Sequence, residues 1–187
     1  MLLSLLILAL AGLFSCRKTG GAKNPELLPG DPIPEFELRT LYGGTVSSSS
    51  LKGDGAVILF FNTWCPDCHE WLPVIQEWAD ADETDTIYLC IARDQTNEAV
   101  MAFWDDNGYT MTAAGDPGKK VYDLFTGDNG YGVPVVYFIN EDGICVKRIL
   151  QNEELVIYQG PVTTSRNGLI SQCQVGRRGG YASDDNN

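Results

Sequence analysis

The sequence predicts an α/β domain, a central mixed sheet with helices on both faces, entered through an N-terminal β-hairpin. Three observations carry this. The runs AVILFF (56–61), TIYLCIA (86–92) and VPVVYFI (133–139) are almost wholly apolar and rich in β-branched residues, as strands covered on both faces are. Segments with apolar residues at helical spacing separate them. The last run turns through Asn140-Glu141-Asp142-Gly143 into ICVKRIL (144–150), an antiparallel hairpin that closes a sheet whose earlier crossovers imply parallel neighbours.

Taken in order, the chain of 187 residues begins with a targeting segment. Residues 2–14, LLSLLILALAGLF, are nearly unbroken apolar chain, short for a membrane span, and read as the core of a signal peptide over 1–15. Leu13-Phe14-Ser15-Cys16 resembles the bacterial lipobox, so Cys16 is the expected lipidation site, with a plain secretory signal as the alternative. Phe14 is bulky for that motif, and no Lys or Arg precedes the apolar run. Residues 16–30 mix Gly, Lys, Asn and Pro without periodicity, as a lipid-anchor tether does. Either reading exports the body into an oxidising compartment, on the periplasmic face of a bacterial membrane.

The domain is expected over 31–150. PEFELRTLYGGTV (34–46) alternates and turns at Gly43-Gly44, a hairpin. After the first buried strand, Trp71, Leu72, Ile75, Trp78 and Ala79 recur at helical spacing. NEAVMAFWDDNG (97–108) reads as a helix stopped by Gly108, and GKKVYDLF (118–125) as a shorter one. Trp71, Trp78, Phe103 and Trp104 therefore read as core. Residues 151–187 form a C-terminal extension: QNEELVIYQGPV offers one further helix or strand, and GRRGGYASDDNN reads as disordered.

The formal charge is −12, and residues 31–150 alone carry −13 against +2 before them and −1 after them. So acidic a body repels phosphate backbones, and no basic stripe offsets it, which argues against nucleic acid as a partner.

The chemistry sits at WCPDCH (64–69). Two thiols two residues apart serve as a redox pair, as half a metal site or as a structural staple, so their surroundings decide. The pair stands where a buried strand hands over to an amphipathic helix. Cys65 then lies at the helix N-terminus, whose unpaired N–H groups and positive dipole end favour a thiolate, while Cys68 is shielded one turn inside.

With Trp64 ahead of the cysteines, the chain resembles the thioredoxin-fold, membrane-tethered TlpA/ResA type of AhpC/TSA-redoxin-like proteins. The likeness covers about 31–150 and rests on the opening hairpin ending in LKG, on FFNTWCPDC, on Pro73 inside the first helix, on YGVPVVYFI and on NEDG. It implies a thioredoxin-like fold and a thiol-disulfide oxidoreductase needing no cofactor and no metal. Cys65 would attack a protein or peptide disulfide and Cys68 would resolve the mixed disulfide, with electrons from a membrane thiol donor. The resemblance also implies a cis Pro134 that turns the Val133 backbone toward the cysteines, so that Trp64, Val133 and Pro134 meet an extended substrate.

Two departures stand out. Pro66 follows the first cysteine and Asp67 precedes the second, the reverse of the order usual in the family. Pro66, Asp67 and His69 are thus the tuning residues: Asp67 opposes a nearby thiolate and a protonated His69 supports one. The family's acidic helper is missing, since Leu59 stands six residues before Cys65 and Trp71 three after Cys68. No proton acceptor is assigned.

Cys90 and Cys145 read as packing residues on strands that are not neighbours, too far apart to bridge. Cys173 lies in the tail. A peroxidase would need Thr and Pro where Asn62 and Ile58 stand. The alternatives are a copper-binding module using Cys65, Cys68 and His69, or a protein-binding module with a structural disulfide.

Overall fold

The structure, a computed structural model, describes residues 24–151, 153–155 and 175–177. The expected signal peptide and Cys16 lie outside the described residues, as do Cys173 and nearly all of the segment expected to be disordered. Strands β1 (Glu37–Arg39) and β2 (Thr45–Ser47) form the expected hairpin, with Leu38 opposite Val46 and with Gly43 and Gly44 both at positive φ in the turn. A 3-10 turn over Ser48–Leu51, capped by the Ser47 side chain, leads to β3 (Ala56–Phe61), all six residues of which are buried.

Helix α1 (Pro66–Ala81), β4 (Ile87–Arg93), α2 (Asn97–Asn107), β5 (Thr112–Asp116), α3 (Lys120–Thr126), β6 (Val135–Ile139) and β7 (Cys145–Leu150) follow. The sheet order is β5-β4-β3-β6-β7. Strand β3 runs parallel to β4 and antiparallel to β6; β4 and β5 are parallel, and β6 and β7 antiparallel. The sheet is therefore mixed, as the helical crossovers and the terminal hairpin predict. A further pair, β8 (Glu153–Leu155) and β9 (Val175–Arg177), is antiparallel, so Gly176 and Arg177 are strand where disorder is expected.

Alternation along β3 sends Phe60 to one face and Phe61 to the other. Phe60 meets Tyr122, Phe125 and Tyr137 edge-on, with centroids 5.4, 5.1 and 6.0 Å away. Each such contact adds about 0.5–1.5 kcal/mol to the area buried. Phe61 packs on Phe103 and Trp104 of α2, while Trp78 of α1 covers Phe138. Helices α1 and α2 thus cover one face and α3 the other. Of the four aromatics expected in the core, Trp71 and Trp104 are buried, whereas Trp78 and Phe103 sit partly buried at its edge.

Three expectations change. Strand β5 is not announced by the sequence, because TAAGD lacks the β-branched run that marks the other strands. It pairs with β4 through small residues, and Gly115 has no room for a side chain: a Cβ there would lie 2.5 Å from the Gln95 carbonyl oxygen. The third apolar run enters the sheet only at Val135, since Pro134 has no N–H to give to a ladder.

Residues 24–30, expected to be tether, pack on the domain. Leu27 is buried and donates its N–H to Phe125 O, and Gly30 N–H goes to Cys145 O. Glu26 accepts from Tyr131 Oη at 2.7 Å and from Arg148 Nη1 at 2.9 Å. An apolar Leu27 among polar neighbours carries too little periodicity to announce this docking.

Candidate active site

The end of β3 and the start of α1 bring the two thiols to the C-terminal end of the central strand. Proline is favoured at the first helical position, where no N–H is needed, and Pro66 occupies it, exposed. Cys65 becomes the helix cap: its N–H goes to Asn62 O at 3.2 Å and its Sγ accepts the Cys68 N–H at 3.4 Å. Pro73 in the next turn leaves the His69 carbonyl without its usual helical donor.

Both cysteines are thiols, as are Cys90 and Cys145. Strands β4 and β7, which carry the latter two, are not neighbours, in line with their reading as packing residues. Cys65 keeps 6% of its surface exposed, whereas Cys68 has none. The Cys65 thiol donates to the carbonyl oxygen of Val133 at 3.3 Å, and the Val133–Pro134 bond is cis, as expected. A residue 68 positions away in sequence thus faces the cysteine. Trp64 stands beside it, 69% exposed.

Burial is the main cause that pushes the Cys68 thiol far above the ordinary cysteine range. A hydrogen bond with Cys65 adds to this, the Asn62 backbone opposes it, and the charges of Cys65 and Asp67 raise it further. Asp67 is half-buried and accepts from Gln151 Nε2 at 2.7 Å. The inner sulfur is therefore held as a neutral thiol, and the outer one keeps a narrow exposed surface with a backbone donor on it.

His69 does something other than face Cys65. It is exposed, its ring stacks on Phe103 with centroids 5.3 Å apart, and Nε2 meets Thr63 O at 2.7 Å. A carbonyl only accepts, so Nε2 carries the proton of that bond. Among the described residues no group of three or more His, Cys, Asp or Glu is placed to hold a metal ion. The His69 ring, turned to Thr63 and Phe103, does not join Cys65 and Cys68 as a third ligand there.

Two residues at the site escape a reading of the sequence. Gln95, between β4 and α2, binds Thr63, and Gln151, at the end of β7, binds Asp67. Neither belongs to a motif, and only the sheet topology brings them in.

A thioredoxin-like sheet that carries an outer and an inner thiol at a helix N-terminus defines the class, a thiol-disulfide oxidoreductase. The chain belongs to the AhpC/TSA family, which matches it over residues 29–148. It is 29% identical over 148 residues to the thiol-disulfide oxidoreductase ResA of Bacillus anthracis, covering 78% of this chain and 83% of that one. The ResA of Oceanobacillus iheyensis is 29% identical over 167 residues, covering 87% of this chain and 81% of its own. Among solved structures, a candidate protein disulfide isomerase from Bacteroides thetaiotaomicron aligns with a TM-score of 0.63 at 26% identity, over 70% of this chain and 83% of that one.

Proposed function

We propose that the protein exchanges its Cys65/Cys68 dithiol with disulfides of proteins or peptides and works as a reductant. The observation that carries the exchange is the placement of Cys65 Sγ, at the helix cap and 3.3 Å from Val133 O, with Cys68 buried behind it; the reducing direction rests on the family resemblance alone. The Cys65 thiolate attacks one sulfur of the substrate. A Cys65–substrate bond forms, the substrate S–S bond breaks, and the leaving thiolate takes a proton. Cys68 then loses its proton and attacks Cys65, forming the intramolecular disulfide and releasing the second substrate thiolate, which is protonated in turn. The substrate gains two electrons and two protons, and the protein gives them up.

In the mixed disulfide Cys65 no longer hydrogen-bonds Cys68 or carries charge, so two of the causes that hold the Cys68 proton disappear when it has to leave. Trp64, Val133 and Pro134 form the wall on which an extended substrate lies. Pro66, Asp67 and His69 shape the couple: Asp67 by charge, and His69 by holding the turn before Cys65. The relatives' names support the redox reading, the apolar N-terminal run with Cys16 supports export and lipid anchoring, and a membrane thiol donor rests on the family resemblance.

The test is single-cysteine variants of the reduced protein with a model protein disulfide. Cys65→Ser is expected to abolish exchange, and Cys68→Ser to accumulate a mixed disulfide on Cys65. Exchange that survives Cys65→Ser would remove this reading. Direction is set by equilibrium with glutathione: a potential well below about −200 mV means a reductant, and one near the strong oxidants reverses the assignment.

A further inference from the structure

Thr63 lies two residues ahead of Cys65, and each of its polar groups is held. Its N–H donates to Gln95 Oε1 at 2.9 Å, its hydroxyl accepts from Gln95 Nε2 at 2.9 Å, and its carbonyl meets His69 Nε2 at 2.7 Å. Asn62 beside it is 2% exposed and donates from Nδ2 to Arg93 O at 2.5 Å and to Gln95 Oε1 at 3.3 Å. The Asn62 backbone then bears on both cysteines: its carbonyl accepts the Cys65 N–H at 3.2 Å, and it opposes the rise of the Cys68 thiol.

We propose that Gln95 is a positioning residue for disulfide exchange. One carboxamide, using its oxygen and its nitrogen, fixes the turn between β3 and α1 and so sets where the two sulfurs stand. A side-chain amide suits this task because it offers an acceptor and a donor side by side, matching the N–H and hydroxyl of a single threonine. Gln95 acts through Asn62 and Thr63 and takes no part in the bond changes. The inference rests on the exchange reading above.

The molecule contains a matched control. Gln76 clamps Thr110 in the same way: Oε1 accepts the Thr110 N–H at 2.9 Å and Nε2 donates to its hydroxyl at 2.8 Å. It sits eight residues along α1 from Cys68, about 12 Å at 1.5 Å per residue. Removing either glutamine side chain deletes the same pair of bonds to a threonine and one bond more, to Asn62 for Gln95 and to Asp80 for Gln76, near the thiols in one case and remote from them in the other.

The experiment measures the second-order rate of the reduced protein with 4,4′-dithiodipyridine across pH, the potential against glutathione, and thermal stability. It compares wild type, Gln95→Ala, Gln95→Met and Gln76→Ala. Gln95→Ala is expected to slow the reaction about tenfold and to shift its pH profile, since small misplacement of reacting groups is costly. Gln76→Ala is expected to lose similar thermal stability while staying within about twofold of the wild-type rate. Gln95→Met keeps the side chain's length without its hydrogen bonds and carries the test should the alanine variant unfold. A folded Gln95 variant with wild-type rate, pH profile and potential would overturn the proposal, and so would an equal slowing in Gln76→Ala. A wild type that does not react at all would instead sink the exchange reading.

Discussion

Replacing Glu26 by alanine tests whether the segment ahead of residue 31 belongs to the folded domain and steadies the loop that leads to Val133. Glu26 Oε2 accepts from Tyr131 Oη at 2.7 Å and from Arg148 Nη1 at 2.9 Å, and the Arg148 guanidinium lies 5.2 Å from the Tyr131 ring centroid. The paired Glu26 and Arg148 side chains are 21% and 15% exposed, between surface and buried pairs. Exposed pairs contribute about 0–1 kcal/mol and breaking a buried one costs about 3–5, so about 2 kcal/mol is expected here. For a domain of this size that is a drop in Tm of roughly 6–10 °C.

The pH dependence supplies a second check. The Tyr131 hydrogen bond is the first cause that holds the Glu26 carboxyl below its ordinary value; burial opposes it and Arg148 adds to it. A depressed acid stabilises the fold fully above its unfolded value, about 4.3, and loses that contribution as pH falls through the folded value. The gap in Tm between wild type and Glu26→Ala should therefore be constant at neutral pH and close below about pH 4. Calorimetry or circular dichroism from pH 7 to 3 measures it. A gap smaller than about 0.5 kcal/mol, or one that does not narrow in acid, would refute the reasoning.

Asp67→Asn removes a charge that opposes the Cys68 thiolate, so Cys68 ionises more readily and the mixed disulfide on Cys65 should resolve about twofold faster in a quenched gel assay; slower resolution contradicts this. Iodoacetamide on the native reduced protein should modify Cys65 and spare Cys68, Cys90 and Cys145, which have no exposed surface, even at pH 9, as peptide mass mapping would show. Burial raises the Cys68 and Cys90 thiols, so rising pH does not free them. Gly127→Ala should destabilise the fold by about 1–3 kcal/mol in urea titration. Gly127 sits at φ +58°, and a Cβ there would collide with the Asn24 carbonyl oxygen of the docked N-terminal segment.

What was legible in the sequence follows from how local each signal is. AVILFF announces a strand buried on both faces because every residue in it must be apolar, and NEAVMAFWDDNG announces its own end, since Gly108 takes the left-handed conformation of a helix cap. WCPDC marks the strand-to-helix handover for the same reason. Strand β5 was not legible, because its small residues suit the sheet only where Gln95 and Thr96 crowd them. Nor was the docking of Leu27, which depends on a partner, Phe125, far along the chain. The role given to His69 shows the limit most clearly. Sequence places it one residue past Cys68 and so near both thiols, but helix geometry and Phe103 turn its ring toward Thr63.

The two walls of the site are each braced from outside the motif. On the cysteine side, Gln95 and His69 hold Thr63. On the proline side, Tyr122 hydrogen-bonds the carbonyl of Tyr131, and Glu26 accepts from the Tyr131 hydroxyl. Gln151 joins the two walls: its Nε2 binds Asp67, and its Oε1 occupies the place where a Gly132 side chain would begin, so a side chain there would push the Gln151 amide aside. The 3.3 Å contact between Cys65 and Val133 is thus the sum of several distant braces. Exchanging the two residues between the cysteines moves the charge next to Cys65 and removes the Gln151–Asp67 link, but leaves the braces on Thr63 and Tyr131 in place. The double variant Pro66→Asp with Asp67→Pro should accordingly alter the potential far more than the distance between Cys65 and Val133, and a structure of that variant in which the cysteine has left Val133 would show the motif, and not its supports, to be in control.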